Sequence, residues 1–163
     1  MRFIAAAIVG LCVVTAALAQ EEPPAPTESP AFSLRLEPTT RPLQRAYPER
    51  ALARGVAGVV HLCCTAGADR RISCEVGVEW PNNRSFGDAG LALMNGRTLT
   101  EESFAQLQNV PGATFRVPIR WQTVPAPPEL DGVIQRIDSE TENLCGPGTG
   151  RAPEYIVIEG RRL

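Results

Sequence analysis

The sequence of 163 residues contains no lysine and carries a formal net charge of −2. Its arginines are scattered along the chain and balanced by acidic residues, so a nucleic-acid-binding surface is not expected. The length suits one domain with extensions rather than several domains.

Residues 1–19 have the features of a secretory signal peptide. Arg2 gives a positive start, an uncharged apolar run follows, and an Ala-Leu-Ala tripeptide of the small-x-small form precedes Gln20. We expect cleavage before Gln20 and export of the rest to the periplasm. The alternative is an uncleaved inner-membrane anchor facing the periplasm, because the apolar run lies at the lower edge of the length that spans a bilayer.

Four cysteines remain after removal of the signal, namely Cys63, Cys64, Cys74 and Cys145. An even number of cysteines in an exported chain indicates two disulfides. In a reducing cytosol the same residues would have suggested a metal site.

Residues 20–42 are rich in Pro and Glu and predict a linker, because they cannot bury enough apolar area to fold. The stretch YPERALARG then predicts a short helix. Pro48 suits its first position, Glu49 its first turn, and Gly55 its C-terminal stop.

Residues 58–78 predict a β-hairpin. Apolar and polar residues alternate on both sides of the turn AGADR, which contains Gly and Asp. One face of the hairpin is almost wholly apolar and the other is polar. The apolar face must be covered, whereas the polar face can contact water.

The stretch SFGDAGLALM predicts a second helix with Ser85 or Asn83 as N-cap, and residues 98–111 predict a loop. ATFRVPIRW predicts a third strand with apolar and arginine side chains on opposite faces. Pro118 places this strand at an edge of the sheet, because proline cannot donate to a ladder.

The C-terminal part predicts a helix over residues 129–144, a loop CGPGTGRAP and a last strand YIVIEG. The whole order predicts the α+β class. We expect a small antiparallel β-sheet with two helices on one face, plus a C-terminal appendage.

His61 and Cys63 share one face of the first predicted strand. A metal site would need at least one more converging ligand, and only Cys145 is left to join them. We therefore interpret His61 as an exposed strand residue beside a disulfide cysteine. The adjacent Cys63 and Cys64 also differ from the Cys-x-x-Cys pairs of redox enzymes, since strand neighbours point to opposite faces.

No catalytic residue, cofactor or metal is expected. The serines considered as nucleophiles share a single histidine, and no GxSxG or HExxH motif is present. The carboxylate clusters are interpreted as solvated faces. The residues in question are Ser73, Ser85 and Ser103, and Glu101, Glu102, Asp138, Glu140 and Glu142.

The segments YPERALARGVAGVV, the hairpin, SFGDAGLALM and FRVPIRW occur together in the order and spacing of the TonB C-terminal domain family, which this part of the chain resembles. The family's YP-x-x-A helix and G-x-V-x-V strand are matched by Tyr47, Pro48, Ala51, Gly58, Val60 and Leu62. A cysteine-bearing subtype, with one Cys on each hairpin strand, is the most similar.

We divide the chain into a signal peptide (1–19), a linker (20–42), a TonB C-terminal-like domain (43–121) and a C-terminal extension (122–163).

The resemblance implies protein–protein binding in the cell envelope. In the family's full transducers, an inner-membrane anchor and a long Pro-rich arm carry the domain to the outer membrane. There it pairs as a strand with a short receptor segment in TonB-dependent transport.

The linker here is far shorter than such an arm. We expect a non-enzymatic periplasmic binding module whose protein partner could be such a receptor. The alternatives are a soluble structural or assembly protein of the same fold and a signal-anchored short energy transducer. Membrane contact is expected only if the signal is retained.

Two disulfide pairings follow from the register of the hairpin. Pairing Cys64 with Cys74 sets Val60 opposite Val78, Leu62 opposite Val76 and Ala66 opposite Ile72, so that every pair on that face is apolar. By subtraction, Cys63 then pairs with Cys145. This second bridge would hold the tail across the polar sheet face.

The third strand is the predicted partner-binding site. An edge strand has unpaired backbone groups that an extended segment can use, with carboxylates beside Arg116 and Arg120. The alternative is that the C-terminal tail strand covers this edge. The predicted binding residues are Phe115, Arg116, Val117, Ile119, Arg120 and Trp121.

Overall fold

The computed structural model describes residues 33–38, 46–82, 85–107, 114–141, 144–146, 150–151 and 154–161. The predicted signal peptide, Asn83 and Glu142 lie outside these ranges. The elements in chain order are α1 (Glu49–Arg54), β1 (Gly58–Ala66), β2 (Ile72–Trp80), α2 (Phe86–Met94), α3 (Glu101–Leu107), β3 (Thr114–Thr123), α4 (Leu130–Glu140), β4 (Gly150–Arg151) and β5 (Ile156–Gly160).

The strands form one sheet in which β1 lies between β2 and β3, and both pairings are antiparallel. On its other side β3 pairs in parallel with β4 and β5. The α+β class is confirmed, but the sheet is mixed rather than wholly antiparallel. The reason is that the chain crosses the sheet through α4 after β3 and returns in the same direction, as a parallel pair requires.

Both faces of the sheet are covered. Helices α1, α2 and α3 pack on one face over a core that includes Leu62, Phe86, Leu107 and Trp121. The other face carries a smaller cluster of two sheet-side residues and two α4 residues, Ala57, Val59, Leu130 and Ile137. The polar face of the hairpin, which the alternation allowed to contact water, is therefore covered, because the amphipathic helix α4 needs an apolar surface and finds it there.

The hairpin contains a β-bulge at Gly77. The predicted pairs Leu62–Val76 and Ala66–Ile72 are present, but His61 pairs with Val78, which leaves Gly77 without a partner. Val60 therefore lies opposite Glu79 instead of Val78. One extra residue turns the following side chains to the opposite faces. As a result Val78 and Trp80 pack on the α4 side of the sheet.

The start of α2 depends on this bulge. The backbone N–H of Phe86 donates to Oε1 of Glu79 at 2.9 Å. Ser85, one of the two predicted N-caps, has a left-handed φ of 62° and makes no capping side-chain bond. A carboxylate from the neighbouring strand thus replaces the local cap, and it also stands favourably at the positive end of the helix dipole.

Helix α3 occupies part of the predicted loop 98–111. Its start is marked by Thr100, whose hydroxyl accepts a hydrogen bond from the N–H of Ser103 at 3.3 Å. Only Ser103 and Leu107 of the helix are buried. The helical periodicity is weak for this reason, although a threonine followed by two glutamates is typical of a helix start.

The folded part also extends into the predicted linker. Leu34 and Leu36 pack against the main core. The N–H of Arg35 donates to Oγ of Ser103 at 2.8 Å, and Leu36 forms a bridge with Leu99. The prediction that all of residues 20–42 form a linker is therefore wrong for residues 33–38. Their alternate leucines supply apolar area that the Pro-rich part lacks.

Candidate functional site

The outer edge of β3 is occupied by the chain's own tail. Residues Ile156–Gly160 of β5 run parallel to β3 from Ile119 to Thr123, and β4 lies opposite Phe115 and Arg116. The third strand is therefore the edge of the antiparallel part only. The sequence allowed two interpretations of this edge, a free partner-binding strand or a strand covered by the tail. The structure has the tail on the edge.

The described pairs between β3 and the tail fall in two groups, one at Phe115 and Arg116 and one from Ile119 to Thr123. Among the described residues of the tail, none pairs with Val117 or Pro118, whereas both flanking parts of β3 are paired. Proline has no N–H and cannot donate to a ladder. Of the two described tail strands on this edge, β4 has two residues and β5 has five.

The apolar residues predicted to bind a partner belong to the core instead. The side chains that point towards α2 are fully buried and cannot contact an added strand from outside. This set comprises Phe115, Val117, Ile119 and Trp121.

The two arginines of β3 are bound by the C-terminal extension. Nη1 of Arg116 donates to the carbonyl oxygen of Thr141 at 2.7 Å and to its Oγ1 at 2.9 Å. Nη1 of Arg120 lies 3.0 Å from Oδ1 of Asp131 in α4. The expectation that these guanidiniums meet carboxylates of an incoming strand is corrected, because α4 covers the face on which they lie.

Both predicted disulfides are present. Cys64–Cys74 closes the hairpin on the core side, and Cys63–Cys145 joins β1 to the tail on the α4 side across 82 residues of sequence. Cys64 is fully buried, whereas Cys63, Cys145 and Cys74 are all half-buried. Each bridge therefore has a half-buried cysteine, and only Cys64–Cys74 also has a cysteine in the main core.

His61 is fully buried between β1 and the tail, not exposed as expected. Its Nδ1 lies 2.9 Å from Oγ1 of Thr141, and its Nε2 lies 2.8 Å from the hydroxyl of Tyr155. Oδ1 of Asp138 in α4 is 3.5 Å from the same Nε2. The central strand is thus bonded to α4 and to the residue that precedes β5.

The hydrogen-bond geometry fixes one proton of this cluster. The Thr141 hydroxyl donates its one hydrogen to the carbonyl of Ile137 and accepts from Arg116. Nδ1 of His61 must therefore be the donor in its contact with Thr141. The Tyr155 hydroxyl is also 3.0 Å from Oδ1 of Asp138. Both Tyr155 contacts are made together when the ring is protonated, so that Nε2 donates to Tyr155 and Tyr155 donates to Asp138.

The bulge makes room for the tail beside the disulfide. A Cβ at Gly77 would lie 2.4 Å from Cδ2 of Leu144 and 3.2 Å from Sγ of Cys63. Leu144 precedes Cys145, so the tail crosses β2 where β2 has no side chain. His61, Cys63 and Gly77 together form the surface on which the tail lies.

The remaining sequence candidates lie apart on different elements. Ser73 is exposed on β2, Ser85 precedes α2, and Ser103 binds the N-terminal segment. Glu102 in α3 pairs with Arg35 at 3.2 Å. Asp138 is the exception among the carboxylates, because its side chain is only 22% exposed and faces His61. Within the described ranges no group of three or more His, Cys, Asp or Glu residues is arranged to hold a metal ion.

Sequence reasoning missed Thr141, Asp138 and Tyr155 as partners of His61. A signal for them existed in the predicted Cys63–Cys145 bridge. A tail held two residues from His61 on the same strand face buries that imidazole, and a buried imidazole needs polar partners.

In the part of the chain that the structure describes, no helix is long and apolar enough to cross a membrane. Comparison with family models, with curated proteins and with solved structures finds no match to this chain.

Proposed function

We propose that this chain is a protein-binding module of the bacterial periplasm that takes up an extended partner segment as an added strand on β3. The observation that carries the proposal is the pairing of β5 with β3, in which a peptide segment from outside the antiparallel sheet already adds to this edge. An edge that accepts one strand in cis presents the backbone groups that a partner strand needs.

The compartment agrees with this role. Two disulfides indicate an oxidising environment outside the cytoplasm. The features of residues 1–19 support export through a cleaved signal, and the resemblance to the TonB C-terminal domain supports the periplasm and a receptor of the outer membrane as partner.

The tail strand indicates what a partner segment would look like. In β5 the side chain of Ile158 is 1% exposed and Ile156 is half-buried, whereas Val157 is 47% exposed and Glu159 is also exposed. A competing segment would carry β-branched apolar residues at alternate positions, since only every second side chain faces the core. It would add no charge pair with Arg116 or Arg120, which α4 already engages.

The second candidate is a structural or assembly protein that keeps the edge permanently closed. The burial of Ile158 favours it, because opening the edge exposes a core side chain at a cost of about 1.5–3 kcal/mol. A signal-anchored short transducer is the third arrangement and differs only in retention of residues 1–19.

Binding to receptor segments separates the first two candidates. The full mature chain and its Ile158→Asp variant, in which the tail strand is weakened, are titrated with synthetic N-terminal segments of outer-membrane receptors. The exposed-site variant Val157→Asp serves as the control. The proposal expects weak binding to the mature chain and to the control, and tighter binding to Ile158→Asp. A folded Ile158→Asp chain without affinity for any segment would support the structural role.

A further inference from the structure

The pair His61 and Cys63, which the sequence places two residues apart on one strand face, contacts the tail. Cys63 is bonded to Cys145, and His61 contacts Thr141 and Tyr155. Both attachments hold the segment that leads into β4 and β5. We propose that the Cys63–Cys145 disulfide is a releasable latch, whose reduction by a dithiol reductant loosens the tail strand and opens the edge of β3. The inference rests on the proposed binding role of that edge.

The burial of the sulfur that would be released distinguishes this bridge from the other one. A thiolate must reach a sulfur atom in order to attack a disulfide. Cys63, Cys145 and Cys74 are all half-buried, but an attack on Cys74 would have to release Cys64 as a thiolate inside the main core. Because apolar surroundings disfavour a thiolate, a reductant in solution reduces Cys63–Cys145 first and leaves the hairpin closed.

The reaction balances as a thiol–disulfide exchange. One thiolate of the reductant attacks Sγ of Cys145, the Cys63–Cys145 bond breaks, and Cys63 leaves as a thiolate that takes up a proton. The second thiol of the reductant then attacks the mixed disulfide and releases Cys145 as a thiol. Two electrons and two protons pass to this chain, and the dithiol becomes a disulfide.

Reduction weakens the attachment of the tail without removing it. The contacts that remain include the ladder between β3 and β5, the contact of Tyr155 with His61, the burial of Ile158 and the apolar face of α4. If reduction freed the tail completely, β5 would open more often by the full entropy of closing the 82-residue loop, and this sets an upper limit. Because α4 keeps the tail nearby, we expect the frequency of β5 opening to rise by only about ten- to a hundredfold.

Amide hydrogen exchange of the full mature chain tests the latch without a partner. Exchange of Ile156–Gly160 is measured for the oxidised chain, for the same chain in a dithiothreitol buffer that reduces only Cys63–Cys145, and for the Cys63→Ser/Cys145→Ser variant. The expected result is faster exchange in β5 by about ten- to a hundredfold. Exchange in β1 and β2 should be unchanged, because Cys64–Cys74 is intact. Equal protection of β5 in all three samples would overturn the proposal, and so would a bridge that resists reduction until the chain unfolds.

A second readout separates failure of the latch from failure of the binding role. The same three samples are titrated with a synthetic peptide of residues 154–161, the chain's own tail strand. Uptake by the two open forms and not by the oxidised chain supports both claims. Faster exchange without peptide uptake supports the latch and contradicts the binding role. Uptake by the oxidised chain equal to that by the open forms contradicts the latch.

Discussion

The hydroxyl of Tyr155 lies 2.8 Å from Nε2 of His61, although 94 residues separate them in the sequence. This contact joins the central strand to the first residue before β5. We predict that Tyr155→Phe, which keeps the ring and removes only the hydroxyl, lowers the free energy of unfolding by about 1–3 kcal/mol, because a buried imidazole nitrogen loses its nearer partner and keeps only Asp138 at 3.5 Å among those described. Denaturant unfolding checks this, with Val157→Ala on the exposed side of β5 as a control that should change stability by less than about 0.5 kcal/mol.

The end of β5 fits tightly against α1. A Cβ at Gly160 would lie 2.5 Å from Cδ1 of Leu52 and 2.7 Å from Cδ2 of Tyr47. We predict that Gly160→Ala destabilises the chain by about 1–3 kcal/mol through overpacking. Its matched control is Gly132→Ala inside α4, where a Cβ meets nothing within 4 Å. The control should raise stability by up to about 1 kcal/mol, because alanine is the better helix former. A Gly160 variant as stable as the control in thermal unfolding would contradict the contact.

The carboxylate of Glu79 replaces a local N-cap at α2. Its removal in Glu79→Ala leaves the N–H of Phe86 without this acceptor, and we predict a loss of about 0.5–2 kcal/mol. Glu79→Gln keeps an acceptor oxygen and should lose less. Denaturant unfolding of the two variants side by side decides the matter, and a larger loss for Gln than for Ala would count against a capping role.

The hairpin disulfide acts on the whole domain. Cys64 and Cys74 are directly opposed in the ladder, with Cα atoms 4.1 Å apart and a sequence separation of ten. We predict that the Cys64→Ala/Cys74→Ala variant unfolds with a free energy lower by roughly 2–3 kcal/mol, as expected for a short loop. Loss of Cys64–Cys74, unlike loss of Cys63–Cys145, should raise amide hydrogen exchange in β1 and β2. Unchanged exchange in those strands would refute the claim that the hairpin disulfide stabilises them.

Much of the fold could be predicted from local patterns. The alternation around AGADR predicted the hairpin, and the register of its core face predicted both cysteine pairs, because one-residue slips turn apolar side chains outwards. The register failed only beyond Gly77. A bulge reverses the alternation, and a glycine is the only mark that it leaves in the sequence. The bulge at Gly77 lies where Leu144 of the tail crosses β2, which the sequence does not show.

The site was harder to predict because its parts come from distant segments. Arg116 and Arg120 read as a polar strand face, and only the position of α4 shows that Thr141 and Asp131 bind them. Likewise, period-2 alternation in YIVIEG predicts a strand but not its neighbour. Coverage of β3 by the tail was one of two expectations from the sequence. That β5 pairs there in parallel follows from the crossover through α4, which no local pattern shows.

The central claim is that the edge of β3 is a strand-binding site filled by the chain's own tail. Its most direct test is an NMR titration of the ¹⁵N-labelled Ile158→Asp chain with an unlabelled peptide of residues 154–161. The account predicts saturable shifts concentrated in the backbone amides of residues 119–123, and no binding by a peptide with proline at position 158. Saturable binding that leaves those amides unchanged, or no binding by a chain whose β1 and β2 remain folded, would contradict it.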